Sequence, residues 1–77
     1  MNRQRRQQIK KVEAALETLR KRVASLHEDE YQYQEGMFRR GVAESVDAAD
    51  VDENLARLSN AESAIQRAII SLRRARE

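Results

Sequence analysis

Ile9, Val12, Leu16, Leu19, Val23 and Leu26 follow one another at steps of three and four residues. Steps of that size put all six side chains on one stripe of an α-helix. With Ile9 as heptad position a, Leu16 and Val23 are also a, and Val12, Leu19, Leu26 and Tyr33 are d. β-Branched residues lead at a, Leu leads at d, and Glu13, Arg20 and Arg22 flank them, which is how a packed helical seam reads. The stripe falters at Glu30, the next a position.

The ladder predicts a first helix over about 3–34, with Asn2 as its cap. A loop is expected over about 35–47, because Gly36 and Gly41 are the only glycines and Gly36 stands where a left-handed helix cap is needed. This loop also carries the apolar residues Met37, Phe38 and Val42. A second helix is expected over about 48–76, with Ser45, Asp47 and Asp50 as competent caps. Asp50 with Glu53 resembles a capping box. Its apolar positions are Val51, Leu55, Leu58, Ile65, Ile69 and Leu72, beside a ladder of Ala61, Ala68 and Ala75. Ile70 lies off this stripe and, with Ile69, widens the apolar face.

Two amphipathic helices and one loop make an all-α antiparallel hairpin, coiled-coil-like, in a single unit over 1–77. A chain of 77 residues buries a thin core and needs a staple. There is no Cys for a disulfide and one His for a metal cage, so oligomerisation is the staple left. A homodimer is expected, with two hairpins joined as a four-helix bundle. Its core residues would be Ile9, Val12, Leu16, Leu19, Val23, Leu26, Leu58, Ile65, Ile69 and Leu72. No stretch approaches the ~20 apolar residues of a membrane span. The basic N-terminus is not followed by an apolar run, so it is not read as a signal peptide. The expected location is a cytoplasm.

Charge is sorted along the chain. Residues 1–22 carry net +6, residues 23–56 net −7 and residues 57–77 net +3. A hairpin therefore has a basic end and an acidic end. In helix 1 this layout opposes the macrodipole: Arg3, Arg5 and Arg6 open the helix, while Glu28, Asp29 and Glu30 lie near its expected close. Two explanations follow: an antiparallel dimer that lays the basic end of one hairpin along the acidic end of the other, or a partner that reads one end.

Arg3, Arg5, Arg6, Lys10, Lys11, Arg73, Arg74 and Arg76 are candidate phosphate contacts at the basic end. No aromatic residue interleaves the N-terminal run to stack bases, and a solvated helix terminus is the plainer explanation. Glu28, Asp29 and Glu30 are candidate partner contacts, set against a merely solubilising surface. Neither they nor Asp50-Val51-Asp52-Glu53 have the spacing of a Ca²⁺ loop. His27-Glu28 begins like the helical zinc motif, but residue 31 is Tyr31. His27 is expected on the surface and Tyr33 in the core. Tyr31, Met37 and Phe38 form a candidate interaction patch, aromatic and Met side chains being favoured anchors. No nucleophile with a base, phosphate loop or carboxylate pair is legible. The sequence reads as a non-enzyme without cofactor or metal.

The order of these features resembles a family of small helical proteins of tailed phages and prophages. The likeness rests on the Arg-rich start leading to Ile9, the Leu ladder, EDEYQYQEGM over residues 28–37, and SAIQRAIISLRRA over residues 63–75. Phe38 stands where that family has Pro. The resemblance implies an accessory protein that binds and modulates or inhibits a host protein, defence systems among the targets. A nucleic-acid-binding module using the basic end and a structural coiled-coil adaptor are the alternatives.

Overall fold

The computed structural model describes residues 2–41 and 46–77. Two helices, α1 (Arg3–Arg39) and α2 (Val46–Ala75), lie antiparallel as a hairpin. The result is a rod 58 Å long and 14 Å across.

Asn2 caps α1, its Oδ1 accepting from the Arg5 backbone N–H at 2.8 Å. The other end departs from expectation. α1 runs five residues beyond Gln34, and Gly36 is helical. The backbone N–H of Arg40 donates to the Gly36 carbonyl at 3.1 Å, and that of Gly41 donates to Phe38 at 3.1 Å. The left-handed residue is Gly41, at φ 75°. The reason is Met37. It is the a position after Glu30, it is buried, and it packs with Val51 and Leu55 of α2. Burying such a side chain contributes about 1.5–3 kcal/mol, which outweighs the ~1 kcal/mol that a mid-helix Gly costs. The expected loop over 35–47 is thus helical at 35–39 and again from Val46. Val42 and Ser45, read as a loop residue and a cap, lie outside the described residues. Asp47 and Asp50 are inside α2 rather than its cap, and Glu53 pairs with Arg57 one turn on instead of closing a capping box.

The longer α1 also changes the dipole argument. Glu28, Asp29 and Glu30 are mid-helix, more than two turns before Arg39, where the terminal field has faded. The last turn carries Arg39, 3.6 Å from Glu35, which suits the dipole. Only Arg3, Arg5 and Arg6 oppose it.

The seam between the helices runs along positions a and e of α1. Ile9, Leu16, Val23 and Met37 at a alternate with Glu13, Arg20, His27 and Gln34 at e, and all of these are buried or half-buried. The facing residues of α2 are Val51, Leu55, Leu58, Glu62, Ile65, Ile69, Leu72 and Arg76, again at alternating steps of four and three. Ile69 is the most enclosed, at 1% exposure. The expected a/d seam is therefore half right. Val12, Leu19, Leu26 and Tyr33 at d are 46–55% exposed, so within one chain they are not core. His27, expected on the surface, is half-buried at the seam. Ile70, a hundred degrees round the helix from Ile69, is exposed. An e position rather than a d position closes the hairpin because long polar side chains there reach partners across the seam: Gln34 to Asp52, and Glu13 to Arg76.

The two glycines separate the expected cap from the observed one. Gly36→Ala should stabilise the chain by about 0.5–1 kcal/mol, since helical Gly is costly and the added Cβ meets only the flexible end of Arg40. Gly41→Ala should destabilise it by about 1–2 kcal/mol at its positive φ. Thermal unfolding by circular dichroism checks both, and the opposite pair of signs would restore Gly36 as the cap.

Candidate functional site

Three surfaces carry the residues singled out in the sequence. The first is the d stripe. Val12, Leu19, Leu26 and Tyr33 recur every seven residues on one side of the seam. On α2, Leu58, Ala61, Ile65, Ala68 and Leu72 are half-buried at positions that continue the same side. The two helices meet there in an open groove of about 480 Å³, lined by Leu26, Asp29, Glu30, Tyr33, Asn54, Arg57 and Leu58. Its floor is apolar. One rim is polar and paired: Asn54 Nδ2 donates to Glu30 Oε2 at 2.9 Å.

The second surface is the outer face of α1 near the hairpin turn. Tyr31 and Phe38 are seven residues apart, so they share a face, and both are exposed. Phe38, at 59%, is the most exposed large apolar side chain among the described residues, and it borders a shallow hollow with Glu35 and Arg39. Met37 does not belong to this patch, being core. The acidic trio is also divided: Glu28 accepts from Gln32 at 2.9 Å, Asp29 lines the groove, and Glu30 takes the Asn54 bond. Glu28, not Asp29 or Glu30, is the residue near Tyr31 on this face. The Glu35 carboxylate hydrogen-bonds the Tyr31 phenol and, with its charge close by, raises the phenol pKa.

The third surface is the basic end. Arg3, Arg5, Arg6, Lys10, Lys11 and Arg74 are exposed. Arg73, which is also exposed, and half-buried Arg76 turn to Glu13, the most buried charged group among the described residues at 8% exposure. Arg76 Nε donates to Glu13 Oε2 at 2.6 Å, and Arg73 Nε lies 3.5 Å from Oε1. Two of the eight candidate phosphate contacts are thus engaged by a carboxylate that joins the first turns of α1 to the last turn of α2. Sequence reading treated Glu13 as a flanking charge. Its e position opposite an Arg pair is the signal, and it becomes visible only once the a/e seam is known.

Among the described residues no three His, Cys, Asp or Glu side chains come together to hold a metal ion. None of the described helices is long and apolar enough to cross a membrane. No family model, curated protein or solved structure matches the chain.

Glu13→Gln should cost about 1 kcal/mol in urea unfolding. A hydrogen-bonded charge contributes more than a neutral pair, and the partly exposed arginines screen some of that gain. Glu17→Gln, which removes the half-exposed pair with Arg20 inside one helix, should change stability by less than about 0.5 kcal/mol. Equal effects would remove Glu13 as an anchor. Tyr31 supplies a pH test. Its raised phenol pKa favours the protonated fold, a contribution present below the ordinary tyrosine pKa and lost as pH rises through the raised value. Following the Tyr31 ring by NMR, Glu35→Gln should move its titration down toward ordinary tyrosine. An unmoved titration would discard the Glu35 contact.

Proposed function

We propose that the chain is an accessory protein of the phage or prophage type that acts in the cytoplasm of a host cell by protein–protein contact. It works as a homodimer, a four-helix bundle of two hairpins, and it binds and modulates or inhibits a host protein. It is a binding protein rather than an enzyme.

One observation carries this reading: the exposed Tyr31–Phe38 pair, with Glu28 and Glu35 beside it. Aromatic side chains held rigidly on a helix are efficient anchors, because few rotatable bonds are frozen on docking. Glu28 and Glu35 steer a basic partner, and Arg39, 3.6 Å from Glu35, adds one positive group that sets its orientation. The chemistry that fits is an apolar pocket with Lys or Arg at its edge. The nucleic-acid reading draws support from the exposed cations at the other end, although the pairing of Arg73 and Arg76 with Glu13 weakens that cluster.

Affinity capture from a host lysate, with the chain as bait, should return one host protein in stoichiometric amount. The Tyr31→Ala, Phe38→Ala double variant should keep its helicity and lose that capture at least tenfold, since two anchors contribute more than ~1.4 kcal/mol together. Capture that ignores the double variant would overturn the assignment. A DNA gel shift that collapses between 0.1 and 1 M salt would move the function to the basic end.

A further inference from the structure

The d stripe is a second face with a different chemistry from the Tyr31–Phe38 patch, and its geometry says what covers it. We propose that this face takes a second copy of the chain turned end for end, so that the two hairpin turns lie at opposite ends of the bundle. This rests on the self-pairing proposed above and adds the face, the orientation and the register.

Self-complementarity is the first argument. An isologous interface needs a patch that fits itself after a half-turn. The stripe is evenly spaced, so inversion about a point between Leu19 and Leu26 sets Leu19 against Leu26 of the second copy and Val12 against Tyr33. The hairpin register, read from Glu30 beside Asn54 and Glu13 beside Arg73, carries the same axis past residue 63 of α2. There it brings Ala61 against Ile65 and Ala68 against Leu58, small against large in both layers. Packed helices sit about 8–10 Å apart, a spacing that small residues permit.

Charge decides the orientation. Residues 1–22 and 64–77, the half of the rod at the free ends, carry twelve Lys/Arg and three Asp/Glu. Residues 23–63 carry three and ten. A bundle with both turns at one end would stack like on like along its whole length. The inverted bundle lays each cationic half on an anionic one, at separations within the ~10 Å Debye length of 0.1 M salt. The exposed arginines at the start of α1, which its own dipole disfavours, then face the acidic half of the second copy.

Spin labels on single-cysteine variants read the arrangement directly, since the chain has no Cys of its own. Sedimentation equilibrium comes first and should give twice the 8.9 kDa chain mass. A monomer would overturn both the pairing and this inference. Labels on Arg40→Cys should lie about 50 Å apart across the dimer, and labels on Gln7→Cys about 45 Å, from the ~1.5 Å helical rise. A separation near 20 Å at Arg40 would mean turns at the same end and would overturn the orientation while leaving the dimer standing. A register one heptad off would lengthen one distance and shorten the other by about 10 Å, and would overturn the proposed axis. Raising salt from 0.1 to 1 M should weaken the inverted dimer at least several-fold, and indifference to salt would count against the charge argument.

Discussion

Everything in this rod depends on a seam in which apolar and polar residues take turns. Ile9, Leu16, Val23 and Met37 supply the apolar half from α1, and Glu13, Arg20, His27 and Gln34 stand between them. A seam built this way buries little: among the described residues only Met37, Val51 and Ile69 are enclosed apolar side chains. Each contributes about 1.5–3 kcal/mol, against about 1–2 kcal/mol of backbone entropy for every residue ordered. The hairpin is therefore held as much by helix capping and cross-seam polar contacts as by a core. Those contacts cluster at the two ends, Glu13 with Arg73 and Arg76 at one, Gln34 with Asp52 and Glu30 with Asn54 toward the other. They fix register where a thin apolar seam would let one helix slide on the other.

The two-helix architecture was legible because it rests on periodicity, which survives any choice of seam. Asn2 as a cap was legible for the same kind of local reason. What escaped was which side of the stripe each helix uses. Positions d and e lie on opposite flanks of a, and apolar content alone favours d. The structure uses e, because Glu13 and Gln34 find partners that exist only once α2 is laid alongside. The turn was misread through Gly36, whose local preference is overridden by Met37 one residue on. The interaction patch was half legible: Tyr31 and Phe38 share a face by simple spacing, whereas Met37 belongs to the core by the heptad rule that had been set aside at Glu30.

Displacing the seam from d to e has a consequence for the surface. A helix that used a and d for its own hairpin would show water a polar exterior. Here Val12, Leu19, Leu26 and Tyr33 remain outside at regular intervals, beside half-buried Leu58, Ile65 and Leu72. Scattered exposed apolar residues are normal on any protein, but these form a regular stripe along a narrow rod. The polar e positions and the apolar d positions thus divide α1: one flank holds the hairpin together and the other stays exposed.

That division leaves two exposed faces of different chemistry on α1. The Tyr31–Phe38 face and the d stripe lie on different sides of the same helix, so occupying one leaves the other open. If the d stripe took a second copy end for end, the two aromatic faces would sit far apart, each on the flank of α1 turned away from the other copy. A partner reaching Phe38 meets Glu35 and Arg39 of the same chain, which border it. Its recognition surface has to match both signs of charge, a stricter requirement than a purely acidic rim imposes.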